Sequence, residues 1–302
     1  MPDVRLTSPG RVLFPEDGLT KGDLFAYYDR VAPVVVPHLR GRPFTLKRYP
    51  HGIHGEVYFQ KQVPRGAPDW LRTRQFTTHP RGGGSRRVDF ALVDSQEALL
   101  WAVQMNCVDM NVWYSRVDRP DRPDYVVFDF DPPGEPDAFD LAIEAALRLG
   151  ELLDEVGLPG YPKTSGADGI HVLAPVKRRA TYADTYAFAE AAARLLERRH
   201  PGLVTTEWLK RKREGVLLDH RQNGSGKTIA SAYSVQPKPG APVSTPLRWE
   251  ELRPGLRPTD FPIATVFDRI DRHGDLYAPV LEEPRALGAA ARKLARLAPS
   301  LR

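Results

Sequence analysis

Cysteine is almost absent from this chain of 302 residues, in which Cys107 is the only one. A single cysteine excludes intramolecular disulfides and zinc sites built from several thiolates. Long apolar runs are also missing, since no stretch approaches the ~18 apolar residues that cross a bilayer, and the N-terminus lacks the apolar core of a secretory signal. The sequence therefore predicts a cytoplasmic protein without a membrane partner.

Positive charge and core-forming residues are what the chain does contain. The formal net charge is +5 and the pI is near 9.3, which favours an anionic partner without identifying it. Hydrophobic residues make up 41% of the sequence, enough for a packed core. We find neither an internal repeat nor a long linker, and we predict a single domain over residues 1–302.

Two carboxylates end an otherwise apolar strand at Tyr125–Pro133, which reads YVVFDFDPP. Asp129 and Asp131 lie two positions apart, and side chains at this spacing share one face of a strand. Two anions so close resist ionising unless a cation lies between them, and hard oxygen ligands favour Mg²⁺, Mn²⁺ or Ca²⁺. For the pair alone, an ordinary strand-ending turn is the simpler explanation.

A glycine-rich turn and the strand after it form the next candidate site, at Tyr161–Ala174. Ser165 and the exposed backbone N–H groups of the turn can receive phosphate oxygens. His171 can offer a proton or a hydrogen bond to the same oxygens. A histidine with satisfied hydrogen bonds in a half-buried strand is the alternative.

A third acid, Asp219, ends the apolar strand predicted at Gly215–Asp219. The segment that follows, Asn223–Thr228, resembles a nucleotide-binding P-loop. Arg221 occupies the position of the first glycine, and a strand rather than a helix is predicted from Thr228. We therefore exclude a P-loop.

Thr20 and Asp23 predict the start of a helix, with Thr20 as the N-cap of a capping box. Arg11 lies in the loop before this helix, and Lys21 is at its first turn. Together with the helix N-terminus they could bind a phosphate. Two solvated cations remain the alternative.

Cations and aromatic residues alternate in two predicted strands, Phe44–Tyr49 and Val57–Lys61. Such a surface can hold phosphates while a ring stacks on a base. Two more strands are predicted at Trp70–Phe76 and Arg86–Asp94, on either side of a basic, glycine-rich hairpin tip. Helices alternate with strands in the rest of the chain. The pattern predicts an α+β fold with antiparallel-rich mixed central sheets flanked by helices.

In order and spacing these motifs resemble the polymerase domain of bacterial DNA ligase D, a branch of the archaeo-eukaryotic primase superfamily. The segments that carry the resemblance are YVVFDFDPP, SGADGIH, VLLDHRQN, AYS and PGAPVSTPL. The resemblance implies a primase-polymerase core and a template-directed nucleotidyltransferase. Such an enzyme fills gaps and extends ends in DNA repair, for example non-homologous end joining, and favours ribonucleotides. No ligase or nuclease domain is expected in this chain.

The resemblance also implies a role for each candidate residue. The metal-binding triad for two Mn²⁺ or Mg²⁺ ions would be Asp129, Asp131 and Asp219, with His171 as a further catalytic residue. The nucleotide-binding residues would be Ser165, Gly166, His171, Lys227, Gln236 and Lys238. A DNA 5′-phosphate would contact Arg11 and Lys21. The template strand would contact Lys47, Tyr58, Phe59 and Lys61, with Phe59 stacking on a base.

Two residues depart from the family pattern. Asn111 stands where a histidine is common, and an amide cannot titrate. Gln236 stands where many members carry arginine, which removes a cation from the triphosphate pocket. Lys227 or Lys238 can supply charge there but cannot reproduce bidentate contacts. We expect an altered affinity or selectivity for the incoming nucleotide.

The implied partners are NTP or dNTP, DNA with gaps, overhangs or breaks, a Ku protein and a separate DNA ligase. A nucleoid-associated location follows from DNA as partner. Two other functions fit the same residues. Three acids beside basic grooves also suit a two-metal nuclease, and the Arg11 and Lys21 pair suits a DNA-end adaptor without catalysis.

Overall fold

The computed structural model describes residues 4–78, 83–134 and 138–297. Within these ranges, helices flank two larger β-sheets whose pairings are mostly antiparallel. The predicted α+β fold with antiparallel-rich sheets is thereby confirmed. No helix in the described ranges is long and apolar enough to cross a membrane.

The α-helices within the described ranges are α1 (Lys21–Leu39), α2 (Gln96–Gln104), α3 (Ala138–Val156), α4 (Tyr182–Arg199), α5 (Val266–His273), α6 (Pro279–Glu282) and α7 (Leu287–Leu297). The strands are β1 (Val12–Phe14), β2 (Leu19–Thr20), β3 (Pro43–Arg48), β4 (Tyr58–Gln60), β5 (Thr73–Thr78), β6 (Arg86–Leu92), β7 (Asn111–Trp113), β8 (Ser115–Arg116), β9 (Arg119–Pro123), β10 (Tyr125–Asp131), β11 (Tyr161–Thr164), β12 (Ile170–Pro175), β13 (Val204–Thr205), β14 (Val216–Leu218) and β15 (Thr228–Ala230).

The five-stranded sheet has the order β11-β12-β10-β14-β13, with β10 at its centre. Residues Tyr125–Phe130 of β10 are all buried, because protein covers both faces of a central strand. Val126 packs in one core with α3 and α4, whereas Val127 lies in the core of the second sheet. Since side chains alternate along a strand, Asp129 and Asp131 point to the same side as Val127.

The six-stranded sheet has the order β15-β7-β3-β6-β5, and β4 extends β3 at its end. Its pairings are antiparallel. The apolar faces of α1 and α2 share a core with this sheet through residues such as Tyr28, Phe44 and Leu99. The acids of β10 consequently face the second sheet, and the space between the two sheets is where a substrate can enter.

The helix start predicted at Thr20 is confirmed by its hydrogen bonds. The Thr20 side chain accepts from the N–H of Asp23 at 3.2 Å, and the Asp23 carboxylate accepts from the N–H of Thr20 at 2.8 Å. Thr181 and Asp184 make the same reciprocal pair at the start of α4. Each pair satisfies N–H groups that the first turn of a helix leaves without partners.

Other predicted boundaries shift for local reasons. The strand expected from Trp70 begins at Thr73, because the N–H of Leu71 closes a turn on the carbonyl of Pro68 at 2.9 Å. The strand expected over Thr228–Tyr233 ends at Ala230, and Tyr233 adopts a positive φ of 61°. Residues 79–82, within the predicted hairpin tip, lie outside the described residues.

Candidate active site

Strands β10 and β14 bring the three predicted acids side by side. Asp129 and Asp131 close β10, and Asp219 directly follows β14. The strands are antiparallel neighbours with Phe130 opposite Leu218. The N–H of Asp219 donates to the carbonyl of Asp129 at 2.8 Å. Asp129 and Asp219 are buried, while Asp131 reaches solvent.

Negative charge accumulates among these acids. The pKa of Asp131 is raised to about 7, first by loss of water around the carboxyl and then by the charges of Asp129 and Asp219. Burial and Asp129 also raise the pKa of Asp219. Three crowded carboxylates of this kind suit hard divalent cations, because a cation relieves their repulsion.

Carboxylate oxygens are thus the type of donor that the two metal ions implied by the family resemblance require. Within residues 4–78, 83–134 and 138–297, however, no three His, Cys, Asp or Glu side chains converge closely enough to hold a metal ion. Asp129 instead lies beside protein donors. Its Oδ1 is 3.2 Å from Nε2 of His171, and its Oδ2 accepts from Nε2 of Gln222 at 3.3 Å.

His171 belongs to a buried chain of hydrogen bonds that starts at Lys163. In the register of the sheet, His171 lies opposite Asp129 on β10 and opposite Lys163 on β11. The fully buried ammonium of Lys163 is 2.8 Å from Nδ1 of His171 and 2.5 Å from Oγ of Ser244. Burial lowers the pKa of Lys163 to about 7, and the charge of Asp129 opposes that change.

The protonation pattern of His171 follows from this chain. The Asp129 carboxylate only accepts, so Nε2 of His171, which faces it, carries the ring hydrogen, and Nδ1 accepts from Lys163. Burial and the positive charge of Lys163 lower the pKa of His171, with Asp129 opposing them. The ring thus presents an N–H toward Asp129 and the cleft beside it. The sequence analysis assigned no role to Lys163. Its position opposite His171 on the neighbouring strand was the feature that could have indicated one.

The turn between β11 and β12 holds Ser165 and Gly166. The Ser165 hydroxyl accepts from the N–H groups of Ala167 and Gly169, each at 3.0 Å. Gly166 has a φ of +79°, and a Cβ there would lie 2.5 Å from Cγ of Gln236. The turn therefore requires glycine at this position. The turn packs directly on Gln236, which is 7% exposed. The side-chain amide nitrogen of Gln236 has no hydrogen-bond partner among the described residues.

These elements enclose one cleft of about 270 Å³. The predicted residues that line it are Lys47, Asp129, Asp131, Ser165, His171 and Gln236. Asp219 does not line it, although its backbone N–H donates to the carbonyl of Asp129. The tertiary structure thus gathers two of the three predicted acids and three of the six predicted nucleotide-site residues around one space.

The two predicted lysines of the nucleotide site occupy different places. The charge of Lys227 opposes the rise in the pKa of Asp219, and Lys227 lines a second groove next to the cleft. Lys238 is 47% exposed and its ammonium is 2.9 Å from Asp168. It therefore holds the Asp168 loop and does not line the cleft.

The second groove, of about 700 Å³, is the candidate template surface. It is lined by Phe59 and Lys61, and Phe59 is 71% exposed. A ring so exposed has a free face for stacking on a base. Lys47 lies between groove and cleft, with its ammonium 2.9 Å from Asp109 and 5.8 Å from the centre of the Phe59 ring. Tyr58 donates to Glu56 and does not line the groove.

Arg11 and Lys21 are neighbours, but only Arg11 is open to solvent. Lys21 is 2% exposed, and its ammonium donates to the carbonyl of Thr7 and to both oxygens of Gln104, at 2.8–3.2 Å. Burial, followed by the charge of Arg11, lowers the pKa of Lys21 to about 8. The alternative of two solvated cations is therefore wrong for Lys21. Arg11 donates to the carbonyl of Pro50 at 3.1 Å and remains exposed.

Asp109 is a site residue that sequence reasoning missed. Its Oδ2 accepts from Nζ of Lys47 at 2.9 Å and from Nδ2 of Asn111 at 2.7 Å, while its buried Oδ1 has no partner among the described residues. Asn111, one of the departures from the family pattern, thus fixes a carboxylate in the cleft wall. The spacing of Asp109 and Asn111, like that of Asp129 and Asp131, was the signal available in the sequence.

Arg213 is a second residue whose place only the structure reveals. It belongs to the basic run at residues 210–213, and its charge opposes the raised pKa of Asp131. Trp208, two residues before this run, is 46% exposed and stacks under Arg221. Cations and an aromatic ring therefore adjoin the open side of the acids.

Comparison with known proteins agrees with this architecture. Residues 20–277 match the model of the LigD primase-polymerase domain family. The chain is 36% identical over 281 residues to the multifunctional non-homologous end joining protein LigD of Mycolicibacterium smegmatis, covering 92% of this chain and 36% of that protein. It is 34% identical to the bifunctional LigD of Bacillus subtilis, covering 94% of this chain and 46% of that protein.

A solved structure shares the fold. The polymerase domain from Mycobacterium tuberculosis ligase D, in complex with DNA, matches with a TM-score of 0.83 and 33% identity, over 93% of this chain and 99% of that one. The chain spans less than half the length of the two curated relatives. The match covers their primase-polymerase part, and the chain belongs to the LigD primase-polymerase domain family.

Proposed function

We propose that this protein is a template-directed nucleotidyltransferase, a DNA or RNA polymerase of the primase-polymerase type. It fills gaps and extends ends in DNA repair such as non-homologous end joining. The observation that carries the proposal is the single cleft that joins Asp129 and Asp131 to Ser165, His171 and Gln236. We further propose that residues 1–302 constitute one primase-polymerase domain, in support of which β10 contributes to both cores.

Asp129, Asp131 and Asp219 are the residues that would hold two Mn²⁺ or Mg²⁺ ions. When bound, such ions favour ionisation of a primer 3′-hydroxyl and neutralise charge on the leaving pyrophosphate. The chain itself positions the carboxylates, because β10 and β14 fix their backbones side by side. His171 and Gln222 each contact Asp129 and limit its rotation.

The wall opposite the acids would bind the triphosphate of an incoming NTP or dNTP. His171 presents its Nε2 hydrogen, and the amide of Gln236 has an unused donor. Ser165 shapes the turn on which both depend, and Gly166 lets that turn pack on Gln236. Lys227 adds positive charge near Asp219, while Lys238 would act through the Asp168 loop. A preference for ribonucleotides remains part of the proposal.

The DNA would lie along the basic and aromatic surface. Phe59 would stack on a template base, with Lys47 and Lys61 beside it for phosphates and Tyr58 at the edge of β4. Arg11 would meet a 5′-phosphate, with Lys21 supporting the loop behind it. Gapped or broken DNA, a Ku protein and a separate ligase are the proposed partners. A cytoplasmic, nucleoid-associated location goes with them.

Primer extension tests this proposal directly. With Mn²⁺, NTPs and a 5′-phosphorylated gapped duplex, we expect the primer to lengthen, and Asp129→Ala to abolish extension while DNA binding persists. Asp154→Ala, which removes an exposed carboxylate on α3, is the matched control and should extend normally. Parallel reactions with dNTPs measure the ribonucleotide preference.

Two other outcomes would replace the proposal. Shortening of the primer without nucleotide consumption would favour the two-metal nuclease. DNA-end binding with neither extension nor cleavage, equal in wild type and Asp129→Ala, would favour the non-catalytic adaptor.

A further inference from the structure

A groove of about 610 Å³ lies between α4 and α7, away from the cleft and from the template surface. Its rim includes the segment that follows β12, beginning at Lys177. Pro175, at the end of β12, pairs with Tyr125 at the start of β10. The rise of a strand puts that pair about 13 Å from Asp129. An occupant of this groove would therefore not compete for the catalytic cleft.

The groove has an apolar floor and walls of small side chains. Phe188, Leu287 and Leu294 form the floor and are buried. The walls are mostly alanine: Ala180, Ala187, Ala191, Ala286, Ala291 and Ala295. Alanine walls leave the space unfilled, so the large apolar side chains of a partner can enter it. Burying such a side chain removes apolar surface from water, which stabilises the complex against the entropy cost of association.

The rim of the groove is positively charged. Lys177 and Arg179 line it, and Nη1 of Arg292 lies against Gly288, another lining residue. Within the described part of the chain, none of these three cations has an ion-pair partner. The one acid of the lining, Asp184, already accepts from the N–H and hydroxyl of Thr181. The rim therefore complements negative charge.

We propose that this groove docks an amphipathic helix of a protein partner, with large apolar residues on one face and acidic residues on its flanks. Two helices with small residues between them form a trough that accepts a third helix as an i, i+3, i+4, i+7 stripe. A nucleic acid fits less well, because the one aromatic ring of the lining, Phe188, is 3% exposed and cannot stack on a base. The docking site is independent of the proposed polymerase activity.

The test uses a fluorescein-labelled model peptide of about 16 residues. The peptide has leucines at helical i, i+3, i+4, i+7 spacing and glutamates on its flanks. Fluorescence anisotropy with the full chain should show saturable binding that weakens as salt is added. A scrambled peptide of the same composition, and one with lysine in place of each glutamate, should each bind about tenfold more weakly or worse.

Variants on the groove locate the binding. Ala295→Trp fills the groove from an exposed wall position and should weaken binding about tenfold, whereas Ala289→Trp, exposed on the same helix but outside the lining, should not. The double change Lys177→Glu and Arg179→Glu should weaken binding similarly. Arg253→Glu with Arg272→Glu is the charge-matched control outside the groove. Methyl NMR should show shifts at Ala191 and Ala291.

Several results would overturn the proposal. Equal effects of groove and control variants would mean binding by net charge alone. A failure of the wild-type chain to bind, together with unperturbed alanine methyls, would show that the groove does not dock such a helix. A wild-type dimer that Ala295→Trp converts to monomer in sedimentation would assign the groove to a second copy of this chain. Primer extension should be unchanged in Ala295→Trp, so failure of docking and failure of the polymerase proposal are separable.

Discussion

Lys163 shows how one buried residue can determine what another presents to a substrate. Its ammonium has no exposed surface and is held by His171 and Ser244. The geometry makes Nδ1 of His171 the acceptor and leaves the ring hydrogen on Nε2, facing Asp129. Burying a lysine costs free energy. In return, the Lys163 ammonium is a hydrogen-bond donor held at a fixed position beside the histidine.

Replacing Lys163 by methionine should free His171 to adopt either tautomer. We expect kcat/KM for the incoming nucleotide to fall about tenfold to a hundredfold, since one buried donor contributes roughly 1–3 kcal/mol. Nitrogen-15 NMR of the histidine ring should show the tautomer change directly. Lys293→Met on α7 is the control for loss of one lysine. Unchanged ring shifts in Lys163→Met would contradict the positioning role, whatever happens to activity.

Arg11 and Lys21 should respond differently to mutation, because only Lys21 is buried. Arg11→Ala removes an exposed side chain with one hydrogen bond, so stability should hold while the preference for a 5′-phosphorylated gap falls. Lys21→Ala leaves Gln104 and Thr7 without their donor and should cost roughly 1–3 kcal/mol of unfolding free energy. Extension on gaps with and without the phosphate, alongside urea unfolding, separates the two effects. An unaltered preference in Arg11→Ala would show that the phosphate binds elsewhere.

At the scale of elements, the β11–β12 turn is the connection on which the nucleotide wall depends. It places Ser165 and Gly166 against the segment that holds Gln236 and Ser244. Its backbone N–H groups already donate to Ser165, which makes the turn rigid. A rigid turn can hold Gln236 and His171 at fixed positions without help from a bound ligand.

The turn gives a paired test with two glycines of similar backbone angle. Gly166→Ala would combine strain at φ +79° with a Cβ 2.8 Å from the backbone N of Ser244, whereas Gly240→Ala at φ +83° meets nothing within 4 Å. Both should lose roughly 1 kcal/mol from the backbone. Only Gly166→Ala should also raise KM for NTP, because it displaces Gln236. Equal KM values in the two variants would refute the role of this packing.

At the scale of the whole molecule, Asp275 ties distant segments together. Its carboxylate is 2.8 Å from Nε2 of His38 on α1 and accepts from the hydroxyl of Tyr233 at 2.9 Å. Burial alone would raise the pKa of Asp275, but the hydrogen bond and charge of His38 lower it below its ordinary value. This carboxylate links the first helix to the C-terminal part of the chain.

The lowered pKa gives stability a defined dependence on pH. The contribution of Asp275 is complete above its unfolded pKa near 4 and is lost as the pH falls through the lower folded value. Asp275→Asn should reduce the unfolding free energy by roughly 1–3 kcal/mol at neutral pH. The unfolding free energy of this variant should also fall less steeply as the pH is lowered. Urea unfolding between about pH 3 and pH 7 measures this. Asp268→Asn, on the exposed side of α5, should leave the decrease of the unfolding free energy at low pH unchanged.

Local signals in the sequence were sufficient for most elements and for the acids. The capping boxes at Thr20 and Thr181, the apolar run of β10 and the paired spacing of Asp129 and Asp131 each depend on neighbours within a few residues. Such short-range rules hold wherever the segment lies in the fold. Predicted strand boundaries were wrong where a turn delayed the start of a strand, as at Leu71, or where a strand ended early before a residue of positive φ, as at Tyr233.

The sequence by itself therefore determined the fold class, the strand that carries Asp129 and Asp131, and the glycine-rich turn before His171. Only the tertiary structure decided which cations are available: it buries Lys21 and Lys163, ties Lys238 to Asp168, and leaves Arg11 and Lys61 exposed. The physical reason is desolvation. Whether a lysine binds a ligand or donates to a protein carbonyl depends on residues that are far away in the sequence. A local sequence pattern does not identify those residues.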